Sequence, residues 1–269
     1  MRTPIRYWKR VNKMSIPEES KEFVTSLARG LSVIQVFNRA ANKLSLSEVA
    51  KLSGLSRATA RRFLFTLSVL GYTESDGKLF WLSPKVLQLG YSYLASQPIV
   101  NIVQPFIEQV SNETGESCSV SVLDGSEIVY VARYMTHHIM SVNLGIGTRL
   151  PAVATSMGRV LLAYKTPEEQ QAFLANYILE RYTPHTLVER NALLGILTQV
   201  QAQGYAIVNQ ELELGLRSIA VPIMNQRDQV IAAINVSTQP TRTSESVLLE
   251  KILPSLRQAA KCIYDRLPV

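Results

Sequence analysis

The stretch Leu46-Ser47-Glu48-Val49-Ala50-Lys51-Leu52-Ser53-Gly54-Leu55-Ser56-Arg57-Ala58-Thr59-Ala60-Arg61-Arg62-Phe63-Leu64-Phe65-Thr66-Leu67-Ser68-Val69-Leu70-Gly71 decides the fold of the N-terminal region. Ser45, just before it, caps a first helix, and Glu48 three residues on completes a capping box. Ser53-Gly54 stops that helix, because glycine enters the left-handed conformation without a steric penalty. Leu55 then seats a tight turn, Ser56 caps a second helix, and Gly71 ends it. Two short helices joined by a tight glycine-containing turn make a helix-turn-helix. In the second, Ala60, Phe63, Leu64, Leu67 and Leu70 share one apolar face, while Arg57, Thr59, Arg61 and Arg62 gather near the N-terminal end, mostly off it. Recognition helices carry their base-reading side chains there, where the helix dipole also favours phosphate. Arginine bonds guanine bidentately, and threonine suits a thymine edge or a phosphate. Ser56, Arg57, Thr59, Arg61 and Arg62 are therefore the candidate DNA contacts, against the alternative of a plain helical hairpin with a solvated basic face.

The next residues weigh against that alternative. Asp76-Gly77 stands between the β-prone runs Tyr72–Ser75 and Lys78–Leu82, a strong hairpin signal. A hairpin directly after a recognition helix reads as a wing, with Lys78 at its tip as a candidate phosphate contact and Phe80 and Trp81 as packing residues. Upstream, a helix starts near Phe23, with Leu27, Leu31, Ile34 and Phe37 at helical spacing. Residues 1–20 contain Pro4 and Pro17 and no amphipathic period, and read as a flexible basic arm. Its Arg2, Arg6, Lys9, Arg10 and Lys13 could add contacts to phosphate.

Charge follows the same division. The chain has 269 residues, enough for two domains, and a formal charge of +7. Residues 1–93 hold 15 Lys/Arg against 6 Asp/Glu, and residues 94–269 hold 13 against 15, so the first third carries +9 and the rest −2. A polyanion-binding module joined to a neutral one produces this asymmetry. Hydrophobic residues at 46% with charged residues at 18% indicate packed cores. No apolar run approaches the roughly 18 residues that span a bilayer, and no secretory signal core is present, so no membrane partner and a cytoplasmic location are expected. Cys118 and Cys262 stand alone, giving neither a disulfide framework nor a metal-ligand spacing.

The remaining chain alternates strands and helices. Residues 21–83 are expected to form the winged helix-turn-helix domain, 84–97 a linker helix and 98–269 a second domain, for an α+β protein. In that second domain strands are expected at Ser117–Leu123, Glu127–Arg133, His138–Asn143, Ser218–Met224 and Val230–Ser237. Leu144 to Ala154 reads as a loop. Helices are expected at Ile99–Glu113, Ser156–Tyr164, Pro167–Asn176, Glu189–Gly204 and Glu245–Arg266.

Catalytic chemistry finds no constellation. His137-His138 would point to opposite faces of a strand, with no further ligand nearby. Glu211 and Glu213 are assigned to pairing with Arg217 or to solvent, and Ser156 sits in no nucleophile elbow. No cofactor is expected and the chain does not read as an enzyme. A DNA-architectural protein without a ligand is the other alternative.

The chain resembles the IclR family of bacterial regulators over nearly all of residues 20–266. The resemblance rests on Leu46–Gly71, on Gly147-Thr148-Arg149-Leu150-Pro151 with Gly158-Arg159, and on Gly204-Tyr205-Ala206. It rests further on Glu211-Leu212-Glu213-Leu214-Gly215-Leu216-Arg217-Ser218-Ile219-Ala220-Val221-Pro222-Ile223 and on Ala232-Ala233-Ile234-Asn235-Val236-Ser237. It is most similar to the branch controlling protocatechuate and hydroxybenzoate catabolism through the β-ketoadipate pathway. The resemblance implies a GAF-like effector-binding domain, a homodimer or dimer of dimers, a double-stranded DNA operator, and activation, with RNA polymerase as a further partner. A repressor answering to another small organic acid is the alternative. The effector pocket so implied involves Ser156, Met157 and Gly158, Leu216 and Ser218 on one strand, and Asn235 and Ser237 on another. Arg159 stands where Lys is common, and Val153-Ala154 replaces a pair that usually includes His. Asn235 and Ser237, two apart on a strand, share a face and need partners if buried, whether a ligand, backbone or water. A carboxylate there would find donors in the N–H groups opening the Ser156 helix and in the Thr155 or Ser156 hydroxyl, with Met157 and Leu216 as apolar walls.

Overall fold

The computed structural model describes residues 20–38, 41–135 and 144–268. The basic arm, the strand expected at His138–Asn143 and the pair His137-His138 lie outside the described residues, apart from Ser20. The chain divides into two compact units after Tyr93.

In the first unit α1 (Thr25–Gln35) precedes a short strand β1 (Leu44–Ser45). Helix α2 (Leu46–Ser53) opens on the capping box: the Glu48 N–H donates to Ser45 Oγ at 3.4 Å, and the Ser45 N–H donates to Glu48 Oε2 at 2.8 Å. It closes on Gly54 at φ +69°, a conformation that a Cβ would strain. Helix α3 (Arg57–Val69) is capped by Ser56, whose Oγ accepts the Thr59 N–H at 3.2 Å. Val33, Leu44, Val49, Ala60, Leu64 and Leu67 form the core between the helices. Strands β2 (Thr73–Ser75) and β3 (Leu79–Leu82) make the expected wing. Two-residue β1 adds to its outer edge in the order β1-β3-β2, a pairing too short to leave a sequence period.

The expected linker contains a 3-10 turn, Pro84–Val86, and then α4 (Leu87–Ser96). Beyond it come α5 (Pro98–Thr114), β4 (Ser117–Asp124), β5 (Glu127–Tyr134) and β6 (Arg149–Pro151). Helices α6 (Ser156–Ala163), α7 (Pro167–Asn176) and α8 (Arg190–Gln203) follow. After them run β7 (Ala206–Asn209), β8 (Arg217–Met224), β9 (Val230–Thr238), α9 (Glu245–Val247) and α10 (Leu253–Tyr264). The six strands form one antiparallel sheet in the order β6-β5-β4-β9-β8-β7.

Alternation along β9 shows how the sheet serves two layers. Ala232, Ile234 and Val236 face a core shared with α5 and α10, while Ala233 faces the opposite core under α6 and α8, on the side of Asn235 and Ser237. Three expectations need correcting. The loop expected at Leu144 to Ala154 contains β6, whose three residues pair with β5, and β7 adds a strand that was not foreseen. Leu216 is not on a strand: it immediately precedes β8. The last helix is not uniform, since Leu248–Ile252 is wound as a π-turn between α9 and α10.

Candidate functional site

Two sites are built on these frames. On the first unit, α3 holds Arg57, Arg61 and Arg62 exposed, with Lys78 exposed at the wing tip. Ser56 and Thr59 are already engaged locally, because their hydroxyls bond each other at 2.8 Å while Ser56 caps the helix. The three arginines are thus the groups free to reach bases or phosphates, and Ser56 positions the helix start. The wing is stiffened by Asp76, which accepts the N–H groups of Leu79 at 2.8 Å and Lys78 at 2.9 Å. Those two backbone bonds, Leu79 first, hold its carboxyl below the usual carboxylate range. Trp81 donates to Glu74 Oε2 at 3.0 Å, and Lys43 Nζ lies 4.3 Å from its ring centroid.

On the second unit, a cavity of about 260 Å³ opens between the sheet and the start of α6. Thr155, Ser156, Met157, Leu216, Ser218, Asn235 and Ser237 all line it, so seven residues from three distant stretches converge. Tyr130, Leu144, Leu150, Ala154, Val208, Leu212 and Glu213 complete the wall. Ser218 and Ser237 are cross-strand partners, which puts both hydroxyls on the cavity side.

Gly158 is not part of the lining. A Cβ built there would lie 2.1 Å from the Ala152 carbonyl oxygen, so this glycine lets α6 press against the 3-10 turn Ala152–Ala154. Its role is close backbone approach, where the resemblance had implied a place in the effector pocket.

The polar groups of the cavity are incompletely satisfied. Ser156 is 1% exposed and Asn235 is 3% exposed, yet Ser156 Oγ and Asn235 Oδ1 have no hydrogen-bond partner among the described residues. Asn235 Nδ2 donates to Ser237 Oγ at 3.1 Å. Thr155 Oγ1 caps α6 by accepting the Gly158 N–H at 3.2 Å. That cap takes the third amide of the helix; those of Ser156 and Met157, the first two, have no partner within it. Tyr130 is buried, and burial pushes its hydroxyl up to about 12, against a smaller opposing effect of Arg133, so it stays a neutral donor.

Behind the cavity, Arg159 on α6 is buried and reaches Glu211. Its Nε donates to the Val153 carbonyl at 2.9 Å and its Nη2 to Glu211 Oε2 at 2.6 Å. The same carboxylate oxygen accepts the Leu187 N–H at 3.0 Å. The expected pairing of Glu211 with Arg217 is therefore replaced, since Arg217 donates instead to Asn209 Oδ1 and to the Thr243 carbonyl. Glu213 lines the cavity. Arg159 and Glu211 lie 52 residues apart, and no local pattern could have joined them.

The comparisons with known proteins agree with both units. Residues 26–77 match the profile described as the IclR helix-turn-helix domain, and residues 91–264 that described as the bacterial transcriptional regulator IclR C-terminal. The chain is 42% identical over 247 residues to the Pca regulon regulatory protein of Pseudomonas putida, covering 91% of this chain and 85% of that one. It is 36% identical over 246 residues to the p-hydroxybenzoate hydroxylase transcriptional activator of Acinetobacter baylyi, covering 90% and 91%. A crystal structure of an IclR homologue from Microbacterium hydrocarbonoxydans, complexed with 4-hydroxybenzoate, superposes with a TM-score of 0.78 at 26% identity, covering 89% of this chain and 98% of that one. No helix among the described residues is long and apolar enough to cross a membrane. With both halves of the family pattern present in order along one chain, this protein belongs to the IclR family of bacterial transcriptional regulators.

Proposed function

We propose that this protein is a cytoplasmic, dimeric activator of aromatic-acid catabolic genes whose effector is protocatechuate or a related hydroxybenzoate. One observation carries the reading: a largely apolar cavity that buries two unpartnered polar atoms, Ser156 Oγ and Asn235 Oδ1. An unpartnered buried polar group costs about 1–3 kcal/mol, a cost that a ligand's hydroxyl or carboxylate would remove. At about 260 Å³ the cavity exceeds the roughly 150 Å³ that accommodates benzene, leaving room for ring substituents. Leu150, Met157, Val208 and Leu216 offer the ring apolar walls. The free amides opening α6 and the Ser156 hydroxyl offer donors to a carboxylate. The names of the Pseudomonas and Acinetobacter relatives, and the 4-hydroxybenzoate bound by the Microbacterium homologue, support the same class of effector.

On DNA, Arg57, Arg61 and Arg62 would enter the major groove and Lys78 would contact a flanking phosphate. Dimerisation is supported by α4, where Leu87, Leu89, Tyr91 and Tyr93 are exposed side chains with apolar bodies. Ligand binding would shift the population between dimer arrangements, one of them productive for RNA polymerase. The test is selection of bound sequences from a random duplex pool by the purified protein, followed by a reporter driven by the selected site. The reading expects an enriched palindromic or repeated motif and a reporter that responds to protocatechuate. A pool without enrichment, or a reporter indifferent to every hydroxybenzoate, contradicts it.

A further inference from the structure

The effector proposed above is an acid, yet among the described residues the cavity wall carries no cation. The sheet supplies one just behind it. Arg133 pairs across β4 with Ser119, and Ser119 pairs with Asn235 on β9, so the three stand in one row on the cavity face. A bulge makes this so: the register of β5 against β4 shifts between Val120 and Ser121, and Val131 and Ala132 both turn to the opposite core. Tyr130 and Arg133, three residues apart, therefore share the cavity side. The Arg133 guanidinium carbon lies 5.8 Å from the centroid of the Tyr130 ring, which lines the cavity. Two strand spacings, about 10 Å, separate Arg133 from Asn235, with only the small Ser119 side chain between them.

Among the described residues the Arg133 Nε is buried without a hydrogen-bond partner, and no carboxylate forms an ion pair with the guanidinium. The undescribed stretch 136–143 that follows contains no Asp or Glu. Burial accordingly pulls its guanidinium below the usual arginine range, the Tyr130 hydroxyl opposing weakly. A partly buried charge left unpaired is expensive unless a counter-ion arrives. The nearby cavity already presents the unpartnered Ser156 Oγ and Asn235 Oδ1.

We propose that Arg133 is the specificity-determining cation of the effector site, selecting a carboxylate-bearing ligand over its neutral counterpart by supplying the charge that the ligand's anion completes. The inference rests on the aromatic-acid reading and adds the residue that recognises the acid group. Charge-assisted hydrogen bonds are about twice as strong as neutral ones, so the discrimination falls on the charged head and spares the ring.

The experiment is calorimetry on the full-length protein with protocatechuate and with 3,4-dihydroxybenzamide, its neutral isostere, for the wild type, Arg133→Met and Arg133→Lys. The wild type is expected to prefer the acid by about tenfold to a hundredfold, the range that a charged hydrogen bond spans. Arg133→Met should lose most of that preference by weakening the acid while leaving the amide within about threefold, and Arg133→Lys should restore part of it. Ligand-free Arg133→Met should also melt no lower than the wild type, because it removes an unpaired charge from a partly buried position. A Met variant that keeps the acid preference overturns the role of Arg133 and leaves the aromatic-acid reading standing. Should Arg133→Met fail to fold, Arg133→Gln takes its place: loss of most of the acid preference there supports the proposal, and the full preference overturns it. A wild type that binds neither compound overturns the aromatic reading, and this proposal with it.

Discussion

Arg159 Nη2 meets Glu211 Oε2 at 2.6 Å, and the arginine is only 2% exposed. The pair ties the helix that opens the cavity to the 210–216 segment that supplies Leu212, Glu213 and Leu216 to its wall. Thr183 and Thr186 reinforce it by donating to the backbone carbonyls of Gln210 and Glu211, each at 2.6 Å. Removing one partner strands the other charge in the interior, so Glu211→Ala is expected to cost about 3–5 kcal/mol in urea unfolding. Replacing both, as Arg159→Met with Glu211→Leu, should recover most of that loss. A single variant as stable as the wild type would show that the charge left behind is not stranded.

Gly158 gives a second stability test that separates packing from ligand contact. Gly158→Ala forces its new methyl into the Ala152 carbonyl and should destabilise the ligand-free protein toward the upper end of the roughly 1–3 kcal/mol range of overpacking. An Ala variant that keeps its melting temperature but loses effector affinity would return Gly158 to the ligand site.

At the DNA face, Arg61→Ala and Arg62→Ala are each expected to weaken operator binding by about 1–3 kcal/mol if they read bases, with little change on random DNA. Lys78→Ala should weaken both alike and reduce the salt dependence, as a phosphate contact does. Fluorescence anisotropy at two salt concentrations distinguishes these outcomes. Equal losses on operator and random duplex would reassign the arginines to the backbone.

The wing carries a pH dependence of known sign. The Asp76 carboxyl is held below its ordinary value by the N–H groups of Leu79 and Lys78, so its contribution to wing order is complete above the unfolded value near about 3.9 and is lost as the pH falls through the lower folded value. An NMR titration should place the Asp76 midpoint below about 3.9, with the Lys78 and Leu79 amide signals moving along with it. A midpoint at or above that value would mean the turn bonds do not favour the ionised form.

What could be read in advance was local. The Ser45–Glu48 capping box, the Gly54 stop, the Ser56 cap and the Asp76-Gly77 turn each lie within a few residues, and each leaves a pattern of its own. Seven cavity residues were named because Asn235 and Ser237 alternate on one strand, because Thr155 offers a carboxylate a donor at a helix start, and because the resemblance carried the other positions. Three features were not legible. The Arg159–Glu211 pair spans the chain, β1 and β6 are too short to show a period, and the role of Gly158 depends on what packs against it. Arg133 escaped notice for a related reason: a bulge resets the two-residue alternation of β5, so strict counting from Tyr130 puts it on the wrong face.

Binding of a hydroxybenzoate in the cavity under α6 is measured by calorimetric titration of the purified full-length protein with protocatechuate and 4-hydroxybenzoate, alongside Asn235→Leu. Saturable binding near one ligand per chain is expected in the wild type. Asn235→Leu should lose that binding and keep its affinity for operator DNA. No binding of either acid to the wild type, or unchanged binding in Asn235→Leu, would contradict a hydroxybenzoate site in this cavity.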